Sequence, residues 1–199
     1  MRRMFAAAAI AAIGLAPFGV ARAAPADPAA ARVEALCNGV VEAVKDTPSG
    51  GLQARAHRIQ PVVEQNFEIS MMAEFAIGPQ WAKIPPAQRT QLTAALTRHT
   101  AARYAQEFDS YTGQKCLVDP AVQTRGPDKL VKSQIVDPHD RSSVNYRLRQ
   151  YGGVWKVIDV YYEGVSQLAT ERADFAGVLA SGGAPALVAR LNELTAKMR

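Results

Sequence analysis

The chain has 199 residues, 48% of them hydrophobic and 21% charged, with a formal net charge of +5. That length suits one domain with an enclosed core and room for a cavity. The positive charge does not indicate nucleic acid. Arg2, Arg3 and Arg22 belong to an N-terminal leader, and the densest later basic run, Arg141 to Lys156, alternates with apolar residues as a solvated strand face does.

Met1 to Ala23 reads as a secretory signal. Arg2 and Arg3 form its positive start, Phe5 to Val20 its apolar stretch, and Ala21-Arg22-Ala23 a small-x-small cleavage site. The apolar stretch contains Gly14 and Pro17 and is short for a membrane span, which needs about 20 residues, so an uncleaved anchor fits less well. Export to the periplasm would leave residues 24–199 as a single domain and lower the formal charge to about +2. Within it we expect a helical part over about 27–110, a sheet over about 115–162 and C-terminal helices over about 165–198.

The first helix is expected from Asp27 as N-cap and Pro28 at its first position, with Val33, Leu36, Cys37, Val40 and Val44 recurring at helical spacing. It ends near Asp46, before the flexible run Thr47-Pro48-Ser49-Gly50-Gly51. A second helix follows Leu52, Ala56, Ile59 and Val63 and is expected to bend or break at Pro61. Phe67, Met71, Met72 and Phe75 make an apolar cluster closed by Gly78-Pro79, with Trp81 after it. Pro85-Pro86 opens the longest helix, carrying Leu92, Leu96, Thr100, Tyr104 and Phe108.

After Gly113 the hydrophobic period changes from helical to alternating. Four strands are predicted: Cys116 to Arg125 (kinked at Pro120), Leu130 to Val136, Ser142 to Tyr151 and Val154 to Tyr162. Gly152-Gly153 is a two-residue hairpin turn. Two helices close the chain, Ser166 to Ala180 and Pro185 to Lys197. Helices, then an antiparallel meander, then helices is an α+β plan with helices over one face of a curved sheet.

Cys37 and Cys116 meet oxidising conditions if the chain is exported, and a disulfide between them would tie the first helix to the first strand. Two separate buried thiols are the alternative. Metal binding by these two alone is not expected, since no histidine stands at ligand spacing from either.

Catalytic chemistry is hard to find. His57 and His99 fall in helices and His139 in a polar turn, none with a sequence partner for acid–base work. There is no nucleophile elbow and no phosphate-binding glycine loop. Asp159 is the one acid of interest. Strict alternation places it on the face of Trp155 and Val157, where burial would raise its pKa and suit it to act as a base. The competing reading is a structural carboxylate paired with Arg147 or with backbone amides.

Two segments resemble the MlaC, or toluene-tolerance, family of periplasmic lipid carriers. The first is Phe67 to Trp81, FEISMMAEFAIGPQW, with Glu68 where aspartate is common; the second is Tyr146 to Gly183, with Trp155-Lys156-Val157, Asp159-Val160, Gly164-Val165-Ser166 and Phe175. The resemblance runs from about Val33 to Leu191. It implies an NTF2-like core and a non-catalytic shuttle without cofactor. Its cargo would be a phospholipid (or a hopanoid in one branch), exchanged between an outer-membrane lipoprotein complex and an inner-membrane ABC transporter with MCE-type domains. On this reading Met72, Phe75, Tyr104, Phe108, Tyr146, Val157 and Val160 are the expected lipid-binding residues. The physics suits it: an acyl chain exposes about 0.8 kcal/mol per CH₂ to water, a cost that an apolar pocket removes without any reactive group. A small enzyme using Asp159, or an adaptor domain with a filled core, are the competing classes.

Overall fold

The computed structural model describes residues 26–47, 50–137 and 140–198. The leader expected over residues 1–23, Pro48-Ser49 of the first connection and Pro138-His139 of the expected polar turn lie outside the described residues. Helix α1 (Pro28–Lys45) starts as its sequence dictates: the Asp27 carboxylate accepts the Ala29 N–H at 2.8 Å and Pro28 fills the first position, where no amide partner is needed. Helix α2 (Gly51–Asn66) runs on through Pro61 without a break. Pro61 and His57, whose carbonyl loses its amide partner there, are both exposed, so water replaces the missing bond.

Helix α3 (Ile69–Ile77) leads through a 3₁₀ turn (Gly78–Lys83) into α4 (Pro86–Glu107). Helix α5 (Gln167–Lys197) is two helical pieces meeting at Gly183, whose φ of 61° and ψ of −158° kink the axis just before Pro185. A residue with a Cβ would be strained in that conformation. Among the described residues no helix is long and apolar enough to cross a membrane.

Among the described residues the sheet has seven strands in place of about four: β1 (Lys115–Val118), β2 (Gln123–Arg125), β3 (Asp128–Val131), β4 (Ser133–Val136), β5 (Arg141–Tyr151), β6 (Val154–Tyr162) and β7 (Val165–Ser166). Two of the expected strands are each split in half. Pro120 cannot donate to the ladder and separates β1 from β2, while Lys132 separates β3 from β4. The halves stay in line because the Asp119 N–H still donates to the Lys132 carbonyl at 2.9 Å. Strand β1 pairs with β4 and β2 with β3, and both β3 and β4 lie along the one long strand β5. Every pairing between these strands is antiparallel, and β6 follows β5 through the turn at Gly152 and Gly153, with φ of 58° and 80°.

One irregularity decides which side of the sheet Asp159 faces. Arg147 stands opposite Asp159 across β5 and β6, but the next residue, Leu148, stands opposite Val157, so the β6 strand carries an extra residue at Ile158. The bulge turns Asp159 to the face opposite Val157, whereas simple alternation puts the two together. The core is one apolar cluster reaching from α1 to α5 and through the sheet; Val33, Leu36, Ile59, Val63, Leu148, Val157, Ile158, Leu187 and Leu191 are fully buried. Cys37 on α1 and Cys116 on β1 form a disulfide across it, with Cα atoms 6.0 Å apart.

Candidate functional site

Alternation along β5 and β6 sends Val144, Tyr146, Val160 and Tyr162 to one side of the sheet and Arg147, Arg149, Asp159 and Tyr161 to the other. Each side carries a cavity. Helices α3 and α5 pass the β6 edge and border both: Met72, Gln167 and Glu171 look into the first cavity, and Glu74, Phe75, Leu168 and Arg172 into the second.

The first cavity is apolar, with a volume of about 320 Å³, between the sheet, the end of α4 and the start of α5. Its walls are Phe67, Met72, Tyr104, Phe108, Ile135, Val144, Tyr146 and Val160. Three rings stack in series: Phe67 meets Tyr104 edge-on at 5.9 Å, and Tyr104 lies nearly parallel to Phe108 at 6.3 Å. Burial pushes both phenols upward, Tyr146 to about 12, and the Tyr104 and Tyr146 hydroxyls pair with each other. These two polar atoms are therefore satisfied within the wall and do not demand a ligand partner.

Polar groups gather at the mouth. The Arg103 guanidinium donates from Nη2 to Gln167 Oε1 at 2.7 Å, and its Nη1 lies 3.4 Å from Glu171 Oε1. Burial raises the Glu171 carboxyl to about 7, against the opposing pull of Arg103; the carboxylates of Asp159 and Asp174 add to the rise. The sequence pattern does not single out Arg103, Gln167 or Glu171. The four-residue step from Gln167 to Glu171 on one helix is the available signal.

The second cavity is a more open cleft of about 740 Å³, lined by Phe75, Trp81, Arg147, Arg149, Asp159, Tyr161 and Arg172 among others. It is the larger of the two, yet the less suited to hydrocarbon. Two of its guanidiniums converge on the nearly buried Asp128, at 2.5 Å for the closest approach of each. Burial alone would raise the Asp128 carboxyl, but the hydrogen bonds and charges of Arg149 and Arg147 outweigh it and hold the group below the usual carboxylate range. Arg149 also lies over the Phe75 ring at 5.4 Å. An apolar chain laid here would bury charge without replacing its hydration.

Of the seven residues expected to bind lipid, the structure brings Met72, Tyr104, Phe108, Tyr146 and Val160 together in the apolar cavity. Phe75 lies instead in the cleft, drawn over Arg149. Val157 is fully buried in the core, its carbonyl accepting the Glu68 N–H at 2.9 Å. Asp159 has the structural role: Oδ1 accepts the Leu168 N–H at 3.1 Å and Oδ2 the Ser166 hydroxyl at 2.7 Å, fastening the start of α5 to β6. His99 is outside both cavities, 3.1 Å from the Thr195 hydroxyl, with its pKa lowered to about 4 by burial and secondarily by Arg103.

The family model described as MlaC protein matches residues 34–193 of this chain. The fold is similar to that of a phospholipid-binding protein from Ralstonia solanacearum, solved in complex with a phospholipid. The two share 22% sequence identity and a TM-score of 0.75, over 85% of this chain and 98% of that one.

Proposed function

The chain belongs to the MlaC family, and from that premise we propose that it is a periplasmic lipid carrier that holds an acyl chain in the apolar cavity between β5, β6, α4 and α5. The observation that carries this is the cavity itself. Eight apolar or aromatic side chains close around about 320 Å³, inside the roughly 300–1,000 Å³ range of ligand pockets, and the charged groups are confined to its mouth. The headgroup would remain at that mouth, beside Arg103, Gln167 and Glu171. Phospholipid is the favoured cargo because the solved relative of the same fold was obtained with one bound.

Covering a chain and releasing it requires no bond to be made or broken, so the protein acts as a binding and transport protein and not as an enzyme. Its donors and acceptors would be an outer-membrane lipoprotein complex and an inner-membrane MCE-type ABC transporter, between which it equilibrates lipid. Both oxygens of Asp159, the sole acid that suggested catalysis, already accept hydrogen bonds from the start of α5. Purification of the exported protein followed by lipid extraction and native mass spectrometry tests the reading. A bound phospholipid is expected; a hopanoid would keep the carrier and change its cargo; a protein that stays empty when offered phospholipid vesicles would overturn it.

A further inference from the structure

The apolar cavity ends on the α1 side against a wall of four side chains, Tyr104, Phe108, Ile135 and Tyr146. The same four line a second, smaller space behind it, a crevice of about 20 Å³ between that wall and α1. Leu36, Val40 and Val41 of α1 and the Cys37–Cys116 disulfide form its far side, Gln114 and Lys115 complete its border, and its surface is almost wholly apolar. A space of that size holds about one water molecule, but without polar partners it stays dry, and its lining forfeits the dispersion contacts that a filled core makes. Hydrocarbon is what such a space lacks.

Three of the four wall groups are fixed. Ile135 stands in the β4 ladder opposite Cys116 and Ser142, and the Tyr104 and Tyr146 hydroxyls pair with each other, a buried bond that either ring would lose on turning. The Phe108 side chain has no polar atom to anchor it. It is half-buried at the end of α4, where the backbone has left the helical range with φ of −107° and ψ of 70°, and its ring is held by stacking on Tyr104. We propose that Phe108 sets the length of acyl chain the protein prefers, closing the cavity in front of the crevice and opening the two into one when its ring turns aside. The inference rests on the carrier reading of the same cavity. A volume of about 320 Å³ is at the lower end of the range for ligand pockets, so a long chain has reason to reach further. Each further methylene covered is worth about fourfold in affinity, against which stands the lost stacking of the displaced ring. With the ring in place, chains that end at the wall are favoured.

The test uses the exported protein, stripped of lipid and incubated with vesicles equimolar in dimyristoyl- and dioleoylphosphatidylglycerol, two lipids with one headgroup and different chain lengths. The ratio of the two is measured in lipid extracted from the re-isolated protein and compared between variants, so that the vesicles' own preference cancels. Phe108→Ala should raise the longer lipid over the shorter by about four- to fifteenfold relative to wild type, the equivalent of one or two more methylenes covered. Val41→Phe fills the crevice from α1, at a half-buried position outside the main cavity. Combined with Phe108→Ala, it should bring the ratio back towards that of wild type while both lipids still load. If the alanine variant disturbs folding, Phe108→Leu should give a smaller shift of the same sign. A ratio unchanged by the Phe108 substitutions, or raised equally with and without Val41→Phe, would overturn the length assignment while leaving lipid binding in place. No loading of either lipid in the wild type would remove the carrier reading beneath it.

Discussion

The two sides of the β5–β6 ribbon use alternate residues of the same short stretch and reach opposite solutions. On one side Val144, Tyr146, Val160 and Tyr162 face a cavity that leaves its apolar walls unfilled. On the other, Arg147, Arg149 and Asp159 are matched to Asp128, Ser166 and Leu168, so the polar groups satisfy one another. A larger volume on the second side does not make it the better lipid site. What decides is whether the lining groups lack partners of the kind a ligand would bring. Apolar walls facing empty space gain from an acyl chain, while paired charges would lose water and gain nothing.

The most severe way to break this comparison is to place a charge on each side. Val160→Glu puts a carboxylate inside the apolar cavity and should lower lipid occupancy by at least about tenfold. Ala169→Glu, on the exposed cleft side of α5, should leave occupancy near that of the wild type. Extraction of bound lipid from both proteins compares them directly. Reduction of the Cys37–Cys116 bond comes next. It opens a loop spanning 79 positions behind the cavity, and the chain-entropy model assigns such a closure about 4 kcal/mol. The expected result is a lower melting temperature and faster lipid release, with no thiol labelled before reduction.

A milder test concerns the cleft side. Asp159→Asn weakens two hydrogen bonds that hold the start of α5 and should cost about 1–2 kcal/mol in denaturant titration, with lipid occupancy nearly unchanged. Loss of a small-substrate turnover in that variant would instead favour an enzyme. The smallest effect expected is one of pH. Glu171 at the mouth titrates at about 7 when folded against 4.5 in its unperturbed state, so the folded protein holds the extra proton between those values. Its contribution to stability is complete below about pH 4.5 and lost as pH rises to about 7. His99 acts in the opposite sense: lowered from 6.5 to about 4, it favours the unfolded state as pH falls through that window. Glu171→Gln should therefore remove a fall in melting temperature towards neutral pH and leave the rise due to His99.

Much of this arrangement is written in local signals. Asp27-Pro28 starts α1, Gly152-Gly153 turns β5 into β6, and the expectation of export makes a bond between Cys37 and Cys116 reasonable before their proximity is visible. Tyr104, Phe108 and Tyr146 are legible because aromatic residues from a helix and a strand are left facing the same interior. The rest depends on geometry that pattern alone does not carry. A single extra residue at Ile158 reverses the side on which Asp159 lies, and periodicity has no way to announce it. Phe75 belongs to the right helix, yet its ring is turned by a guanidinium more than seventy residues away. The rim charges escape notice because Arg103 and Glu171 become neighbours only when α4 and α5 pack together.

Hydrocarbon is expected on the Tyr146 side of the sheet and not on the Arg147 side. Photo-crosslinking decides it most directly, with a phospholipid carrying a diazirine near the end of one acyl chain, loaded into the wild-type protein and located by peptide mass mapping. Label is expected on the peptides holding Phe67 and Met72, Tyr104 and Phe108, and Val144 and Tyr146. Label concentrated instead on Phe75, Trp81 and Arg172 would place the chain in the cleft and contradict it.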